Sequence, residues 1–484
     1  MYLGVDLGTS SIKAIIMSEQ GNVIASHSIP LDISRPHPEW SEQNPQDWWL
    51  ATDQAIMHLS QTYPMAKIQA IGLSGHMHGA VLLDGHQNVL RPAILWNDGR
   101  SFKQCQTLEK RYPQFNKITG NLLMPGFTAP KIQWVAENEP GIFQRIAHVL
   151  LPKDFLRWKM SGNFASDMSD SAGTLWLDPQ KRDWSDELLA ATGLSRRQMP
   201  TLFEGNQITG HLLPEVAKKW KMNPVPVVAG GGDNAMGAIG VGVYQPGQAM
   251  LSLGTSGVYF VVSEKFLHNS KSAVHSFCHA LPDTWHLMSV MLSAASCLDW
   301  ICNLTGIKNV SVMFEKIEQH TLSSSPLLFL PYLSGERTPH NNPKAKGVFW
   351  GLTHEHQRAD LCQAVIEGVS FALRQGIEVA ESAGQAADNI ILIGGGARSP
   401  YWRQLLADIT GKTLEYRQGG DVGPALGAAR LAQLATSPAH LSQIILSRPK
   451  LEVCHTPNPE KHATYEKKYQ SFKKLYSLLA PMNV

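Results

Sequence analysis

Short apolar runs alternate along the chain with longer apolar stripes at helical spacing. The run at residues 68–74 predicts a buried strand. Asn44 before Pro45 is a typical helix start, and apolar positions from Trp48 to Leu59 continue that helix. A Gly-Asn pair at 21–22 predicts a hairpin turn before a strand at 23–27. Hairpin strands, a helix and a further strand in this order indicate an α/β fold with helices covering a sheet.

The second half of the chain repeats this pattern. Apolar residues from Ala364 to Ile377 predict a helix that ends near Gly384, and residues 390–393 predict a strand. Ser399 before Pro400 predicts the start of another helix. Between the halves, the turn-rich segment 244–248 is the best candidate boundary, which gives predicted domains at 1–244 and 245–484.

A terminal stripe completes the helical pattern. Tyr465, Tyr469, Phe472 and Leu475 fall on one face of a predicted helix, with lysines on the opposite face. A basic amphipathic helix can bind a membrane or a partner, but a terminal helix packed on its own domain is the more common arrangement.

Two loops of the same composition interrupt these runs. Gly-Thr-Ser occurs at residues 8–10 and again at 254–256, each time between apolar runs that predict strands. Glycine, threonine and serine leave backbone N–H groups accessible, as a phosphate-binding loop requires. Either loop alone is more often an ordinary hairpin turn, but the matched pair predicts two halves that face one phosphate chain.

Two aspartates stand next to predicted strand ends. Asp233 follows the glycines at 230–232 and opens a helix of small residues, where it could accept a proton from a substrate hydroxyl or cap the helix. A free carboxylate there is expected to be ionised at neutral pH. Asp6 lies inside an apolar run beside the first loop, so we expect it to hold Mg²⁺, with a local hydrogen bond to the turn as the alternative.

Three other loops carry candidate binding residues. Residues 75–79 place His76 and His78 in a glycine-bounded loop, which suits contacts to a polyhydroxyl ligand better than a metal site. Residues 96–100 combine an aromatic ring with amide, carboxylate and guanidinium groups, a frequent combination in sugar recognition, although such a segment can also be an exposed turn. The glycines at 394–396 could let a nucleotide approach the backbone, and Asp421 opens the next helix in a similar way or simply caps it.

Composition excludes several classes of function. The 484 residues are too many for one core, and 17% charged against 43% hydrophobic residues indicates a globular chain. A formal net charge of +2 and scattered basic residues argue against nucleic-acid binding. The sequence shows no signal-peptide pattern and no apolar run long enough to span a bilayer. The six cysteines form no CxxC pair, so we expect reduced core thiols in a cytoplasmic protein that binds no membrane.

Together these segments resemble the FGGY family of carbohydrate kinases. The resemblance covers essentially the whole chain in order and includes the motifs at 77–79, 91–100, 119–121, 125–131, 164–170, 230–234 and 335–342. It implies two ribonuclease-H-like α/β domains around a central cleft, as in actin and sugar kinases. It also implies a homodimer.

The resemblance also assigns roles to individual residues. It implies that Asp233 is the catalytic base and that Asp6 is an essential acidic residue. The implied sugar contacts are Met77, His78, Trp96, Asp98, Asp233 and Asn234. The implied nucleotide contacts are Gly8, Thr9, Ser10, Gly254, Thr255, Gly395 and Gly396.

The implied activity is ATP-dependent phosphorylation of D-xylulose, with Mg²⁺ as the cofactor. Spacing alone does not separate one ketopentose from another, so a kinase for ribulose, glycerol or a related substrate is the alternative in the same class. An ATP-driven binding protein of the actin and chaperone kind would also have two phosphate loops. However, it would leave Asp233 and the candidate sugar loops without a function.

Overall fold

The computed structural model describes residues 1–320, 326–418 and 423–483. Each half of the chain builds a mixed seven-stranded sheet. The strands of the first sheet, in spatial order, are Ile208–His211, Pro226–Val228, Ile71–Gly75, Tyr2–Leu7, Ser11–Met17 and Val23–Pro30, with Gly231–Gly232 also paired to Ile71–Gly75. The strands of the second sheet, in spatial order, are His275–Cys278, Trp285–Met291, Gly257–Ser263, Ala249–Leu253, Asn389–Ile393, Thr413–Arg417 and Leu451–His455.

The two sheets share one topology. The strand Tyr2–Leu7 pairs antiparallel with the strand that follows it and parallel with Ile71–Gly75. Ala249–Leu253 pairs in the same two ways, antiparallel with the next strand and parallel with Asn389–Ile393. The predicted internal repeat is therefore a repeat of structure, with each Gly-Thr-Ser loop at the turn of the equivalent hairpin.

Helices and short strand pairs complete the two halves. The α-helices are Pro45–Leu59, Phe102–Arg111, Gln114–Thr119, Thr128–Asn138, Pro140–Phe143, Pro152–Ser161, Met168–Ala172, Asp186–Ala191, Pro214–Lys219, Asp233–Gly240, Ser296–Thr305, Val310–Gln319, Arg358–Glu381, Pro400–Thr410, Pro424–Thr436, Ser442–Ile445 and Pro459–Leu479. The 3₁₀ helices are Met65–Lys67, Arg196–Gln198, Ser270–Ser272, Gly395–Arg398, Ala439–Leu441 and Ala480–Asn483. The strands of the small sheets are Glu42–Gln43, Val81–Leu83, Ala93–Ile94, His148–Leu150, Ala165–Asp167, Leu177–Asp178, Asp183–Trp184, Thr201–Phe203, Leu328–Leu330 and Val348–Trp350.

The predicted helix starts are confirmed. The side chain of Asn44 accepts a hydrogen bond from the backbone N–H of Gln46 at 3.1 Å, and Pro45 is the first residue of the helix. Ser399 likewise accepts from the N–H of Trp402 at 3.2 Å. Both side chains satisfy backbone donors that have no partner inside the helix.

The terminal helix packs on its own domain. Tyr469, Phe472 and Leu475 of the helix Pro459–Leu479 are buried in the core of the second half. This arrangement confirms the prediction of a docked terminal helix, because the apolar stripe is covered by the domain that carries it.

Two helices cross between the halves. The helix Pro424–Thr436 stands between two strands of the second sheet in the sequence but packs on the first sheet: a Cβ at Gly4 would lie 2.0 Å from the carbonyl oxygen of Ala425. The helix Asp233–Gly240 comes from the first half but packs on the second sheet, since its Ala238 belongs to a hydrophobic cluster with Phe260 of that sheet. The two helices also touch each other, and glycine at 427 permits this approach, because a Cβ there would lie 1.9 Å from a backbone oxygen.

Two expectations about composition are tested by the structure. Five of the six cysteines are buried and none of the six is in a disulfide, but Cys454 is exposed on the outer strand Leu451–His455, so the core assignment was wrong for this residue. Among the described residues, no helix combines the length and the apolar character that a membrane span requires.

Candidate active site

A cavity of about 260 Å³ lies between the two halves. Its walls come from loops of the first half, from the first turn of the helix Asp233–Gly240, and from strands and loops of the second half. The first half contributes Met77, His78, Trp96, Met124, Gly126, Phe127, Asp233 and Asn234. The second half contributes Ser252, Gly254, Ser256, Val258, His275, Met288, Val290 and Arg337.

Parallel strand pairing brings the two predicted aspartates to one edge of the first sheet. Asp6 is opposite Ser74 in the register of neighbouring strands, and Gly232, directly before Asp233, is opposite Gly75. Carboxyl ends of parallel strands meet at the same edge of a sheet, where open α/β folds bind their ligands. Residues that are 227 positions apart in sequence, counted as 233 − 6, therefore lie on one surface.

Asp233 is the first residue of its helix, and the N-cap is Gly232. The alternative of a capping aspartate is therefore wrong. One carboxylate oxygen accepts hydrogen bonds from the backbone N–H and the side-chain amide of Asn234, at 2.7 and 2.9 Å. Burial, and after it the negative charge of Asp6, raises the pKa of Asp233 to about 7. The expectation of full ionisation at neutral pH is thus corrected, because the carboxylate is poorly solvated and lies near a second acid.

Asp6 accepts a hydrogen bond from the hydroxyl of Ser74 at 2.8 Å. Burial raises the pKa of Asp6 to about 6, although the hydrogen bond from Ser74 and the charge of Lys13 act in the opposite direction. Sequence reasoning did not identify Ser74. The available signal was a polar residue at the end of an otherwise apolar run, which parallel pairing places beside Asp6.

A buried ionic cluster supports the loop that carries Asp233. The ammonium group of Lys153 lies 2.7 Å from Asp154, 2.6 Å from Asp167 and 3.1 Å from Asp170, and all four side chains are fully buried. The loop hydrogen-bonds this cluster through Ser169, whose hydroxyl accepts from the N–H of Gly232 at 3.2 Å and donates to Asp167 at 2.5 Å.

The cluster continues to the start of the loop. The guanidinium group of Arg157 bonds Asp154 and donates to the carbonyl oxygen of Ala229. Buried charges of this kind fix a local conformation when each is paired. The sequence analysis missed Lys153 and Arg157, since their helical spacing resembles that of an ordinary surface.

His78 is held in a fixed orientation at the cavity wall. Its backbone has a φ of 71°, and its Nδ1 is 2.8 Å from the carbonyl oxygen of Gly173. Burial, and after it the positive charge of Lys131, lowers the pKa of His78 to about 3, so the ring is neutral. A carbonyl partner requires the proton on Nδ1, which leaves Nε2 as an acceptor for a ligand hydroxyl.

Glycines make room for the His78 and Met77 side chains. A Cβ at Gly173 would lie 2.5 Å from the Cε1 and Nδ1 atoms of His78. A Cβ at Gly232 would lie 2.7 Å from the Cγ atom of Met77. Both distances are shorter than real Cβ contacts, so His78 and Met77 can take their observed positions only because residues 173 and 232 are glycines.

Trp96 and Asp98 have different surroundings. Trp96 lines the cavity, is 36% exposed, and donates from Nε1 to the hydroxyl of Thr9 at 2.9 Å. Asp98 is buried, and its carboxylate accepts from the backbone of Ser41 and from the guanidinium group of Arg100, at 2.6 and 2.7 Å. Asp98 is absent from the described cavity lining, so the geometry favours a positioning role over the predicted sugar contact.

The first Gly-Thr-Ser loop lies behind Trp96. Gly8 donates its N–H to the carbonyl oxygen of Ser11 at 3.0 Å, which closes the turn. The carbonyl oxygen of Thr9 accepts from the amide of Gln43 at 2.8 Å. This loop reaches the cavity lining, as far as the described residues show, only through the bond between Thr9 and Trp96.

The second loop opens directly onto the cavity through Gly254 and Ser256. The carbonyl oxygen of Thr255 accepts from the backbone N–H of Ala294 and from the hydroxyl of Ser296, at 2.9 and 3.0 Å. These bonds anchor the loop to the start of the helix Ser296–Thr305 and fix the direction of the other N–H groups of the loop.

The glycines at 394–396 extend the same edge of the second sheet. Gly394 has a φ of 87°, and a Cβ there would lie 2.9 Å from the carbonyl oxygen of Leu253. A Cβ at Gly396 would lie 2.5 Å from the ring of Trp402, whereas a Cβ at Gly395 would have open space around it. Gly394 and Gly396 are therefore required by packing, and Gly395 is the one with a free face. Asp421 lies outside the described residues.

Metal binding has a limited set of candidates here. Among the described residues, no group of three or more histidine, cysteine, aspartate or glutamate side chains is arranged to hold a metal ion. Mg²⁺ typically takes one or two protein carboxylates and fills its other positions with water and phosphate oxygens. Asp6 and Asp233, on one edge and with raised pKa values, fit this kind of site.

Comparison with known proteins agrees with this geometry along the whole chain. The N-terminal domain of the FGGY family of carbohydrate kinases matches residues 1–240, and its C-terminal domain matches residues 249–436. Xylulose kinase of Escherichia coli (strain K12) is 60% identical over 482 residues, and that of Klebsiella pneumoniae is 56% identical, each covering 100% of both chains.

Solved structures agree as well. The crystal structure of a xyloylose kinase from Brucella ovis superposes with a TM-score of 0.96 at 46% identity and covers 99% of each chain. Both domain matches, the full-length relatives and the two-domain fold around a shared cavity lead to the same assignment. The chain belongs to the FGGY family of carbohydrate kinases.

Proposed function

We propose that this protein transfers the γ-phosphoryl group of ATP to the terminal hydroxyl of D-xylulose. The observation that carries the proposal is the position of Asp233 on a cavity that also contains Gly254 and Ser256 of the second loop. One acid thus shares a space with a loop suited to phosphate. The full-length similarity to proteins named xylulose kinase supports the choice of sugar.

Asp233 would act as the general base. Its carboxylate would accept the proton of the sugar hydroxyl while the oxygen attacks the γ-phosphorus. A base is most effective when its pKa is near the working pH, and the pKa of about 7 places Asp233 in that range. The two hydrogen bonds from Asn234 would orient the carboxylate.

Met77, His78, Trp96 and Asn234 would form the sugar site. Nε2 of neutral His78 would accept from a sugar hydroxyl, and the indole ring of Trp96 would cover an apolar face of the sugar. Because Trp96 donates a hydrogen bond to Thr9, a sugar packed on its indole ring would be connected through Trp96 to the first phosphate loop.

The nucleotide would bind along the edge of the second sheet. Gly254, Thr255, Gly395 and Gly396 would present backbone N–H groups or a free face to it, and residues 8–10 would approach from the other half. Asp6 would hold Mg²⁺, which would supply positive charge to the phosphate oxygens. The hydroxyl of Ser74 would keep Asp6 pointing into the cleft.

A panel of sugars in a coupled ADP assay tests this proposal. D-xylulose, D-ribulose, L-ribulose, xylitol and glycerol would be compared with ATP and Mg²⁺ in excess. The highest kcat/KM is expected for D-xylulose, and a higher value for any other member of the panel would reassign the substrate. Membership of a carbohydrate kinase family removes the earlier alternative of an actin-like or chaperone-like binding protein.

We also infer a cytoplasmic homodimer from the family resemblance. Sedimentation velocity at micromolar concentration measures the assembly state directly. A monomer at all concentrations would contradict the dimer without affecting the proposed reaction.

A further inference from the structure

A guanidinium group from the second half lines the cavity. Arg337 lies in the cavity wall together with His275, Met288 and Val290 of the second sheet. It lies two residues after Gly335, in the segment 335–342 that the sequence analysis included among the motifs of the family resemblance without assigning it a role. None of the roles assigned above uses this residue.

The loop around Arg337 is fixed on both sides. Glu336 accepts from the backbone N–H of Arg337 at 2.7 Å and from that of Leu292 at 3.0 Å. The N–H of Thr338 donates to the carbonyl oxygen of Val290 at 3.1 Å, and the hydroxyl of Thr338 accepts from the N–H of Val290 at the same distance. Three of these four hydrogen bonds attach the residues on either side of Arg337 to Val290 and Leu292, at the end of the strand Trp285–Met291.

Among the described residues, the side chain of Arg337 forms no ion pair at contact distance, and the acidic charge that acts on it is that of the neighbouring Glu336. Its hydrogen bond is a long one, 3.4 Å from Nη1 to Nε2 of His275. Glu336 is adjacent in sequence, but its bonds go to backbone groups. A partly buried guanidinium without a carboxylate is costly unless a ligand supplies oxygen acceptors.

Arg337 lies on the His78 side of the cavity. Its positive charge is among the causes that lower the pKa of His78 and of His275, whereas the charge that acts on Asp233 is that of Asp6. His78 and His275 are connected through the ring of Phe127, whose centroid is 4.8 Å from one imidazole and 5.4 Å from the other. The hydrogen bond to His275 and these ring contacts therefore place the guanidinium near the predicted sugar contact His78.

We propose that Arg337 is a substrate-contacting residue that donates N–H groups to oxygen atoms of the sugar from the second half. This inference rests on the proposed function, because it requires a sugar in this cavity. An arginine can donate two parallel hydrogen bonds, which suits a carbonyl oxygen and a neighbouring hydroxyl of an open-chain ketose. His78 would accept from the sugar as a residue of the first half while Arg337 donates from the second half, so the sugar would join the two halves.

The variants R337Q and R337K test the role of Arg337, with R358Q as the matched control. Arg358 is an exposed residue of the same half at the start of the helix Arg358–Glu381, so it reports the effect of losing one positive charge there. Loss of a hydrogen bond from a charged donor typically weakens binding by tenfold or more. We expect the KM for D-xylulose to rise at least about tenfold in R337Q and less in R337K, with the KM for ATP within about twofold of wild type.

Binding without turnover gives a second readout. Sugar alone should raise the melting temperature of wild type and R358Q, and this increase should be lost in R337Q and partly kept in R337K. If R337Q does not fold, judged by circular dichroism, R337K still decides, because it keeps the charge but not the paired donors. An unchanged sugar KM in R337K and R337Q would overturn the inference, and so would a fall in kcat with normal sugar KM, which would indicate a contact to phosphate.

The outcomes separate this inference from the proposed function. A wild-type protein that phosphorylates another sugar would contradict the substrate assignment, and the same KM and melting measurements would then be made with that sugar. A wild type active on D-xylulose with an unaltered R337Q would contradict the role of Arg337 alone.

Discussion

The equivalent edges of the two sheets carry different residues. In the first half this edge carries two acids, Asp6 and Asp233, with pKa values raised to about 6 and about 7. In the second half the position equivalent to Asp6 is Ser252, since both stand two residues before the glycine of the loop. The described part of the second edge is then lined by the glycines at 254 and 394–396.

In the proposed reaction, this difference would separate proton and metal chemistry from nucleotide binding. Two anionic carboxylates suit a cation or a hydroxyl proton but would repel a triphosphate. Serine and glycine add no charge and leave N–H groups accessible, which suits phosphate. A single topology can therefore hold both reactants, provided that acids are confined to one half. The predictions below challenge this division, from the largest expected effect to the smallest.

The variant D233N should lose turnover while it keeps sugar binding. A positioned base contributes about 10²- to 10⁴-fold to rate, so kcat should fall by at least this range. Asparagine keeps the shape of the side chain but has no basic carboxylate. Steady-state kinetics measures kcat, and the increase in melting temperature on adding sugar measures binding. The exposed Asp388 supplies the control D388N, and a kcat for D233N near that of the control would exclude Asp233 as the base.

Exchanging the acid between the two edges should impair each half in a different way. S252D places a negative charge in the cavity wall beside the second loop, so the KM for ATP should rise by about tenfold or more. D6S should mainly lower kcat and weaken the dependence on Mg²⁺. S252T is the control for the size of the new side chain at 252. Equal ATP affinity in S252D and S252T would contradict the assignment of the second edge to nucleotide.

Adding a methyl group at Gly173 should affect only the sugar side. The new Cβ would meet the ring of His78 at 2.5 Å, so the imidazole must move. We expect the KM for sugar to rise by about tenfold in G173A, with the KM for ATP almost unchanged. G395A is the matched change on the other edge, where a Cβ has open space. It should leave the melting temperature unaltered and raise the KM for ATP, and the opposite pattern would reverse the assignment of the two edges.

The raised pKa of Asp233 should also be visible in stability. Its folded pKa of about 7 exceeds the model-peptide value of 3.8, so the folded state binds more protons between these pH values and wild-type stability decreases as pH rises through this window. D233N has no ionisable group at this position, so its stability does not decrease for this reason as pH rises. At pH 8 it should be more stable than wild type by about 1–4 kcal/mol, and at pH 4 the difference should nearly vanish.

Denaturant unfolding of both proteins at the two pH values measures the effect. A stability difference that is independent of pH would contradict the raised pKa of Asp233.

Much of the framework was predictable because it depends on local patterns. The cap at Asn44, the cap at Ser399 and the hairpins around both Gly-Thr-Ser loops follow from residue preferences within a few positions. The docked stripe of the terminal helix follows from helical periodicity. The exact site was less predictable. Asp98 looked like a ligand because its neighbours are aromatic and polar, but its carboxylate is occupied by Arg100 and Ser41.

By itself, the sequence determined the fold class, the internal repeat and the identity of the two acids, because short-range patterning and motif order carry that information. Only the tertiary structure decided which residues share the cavity and how their pKa values shift. Asp6, Ser74 and Asp233 come to one sheet edge through parallel pairing of distant strands, and Arg337 reaches the cavity of Asp233 from the other half. Burial and mutual charge act only once these groups are close, so no local pattern can reveal them.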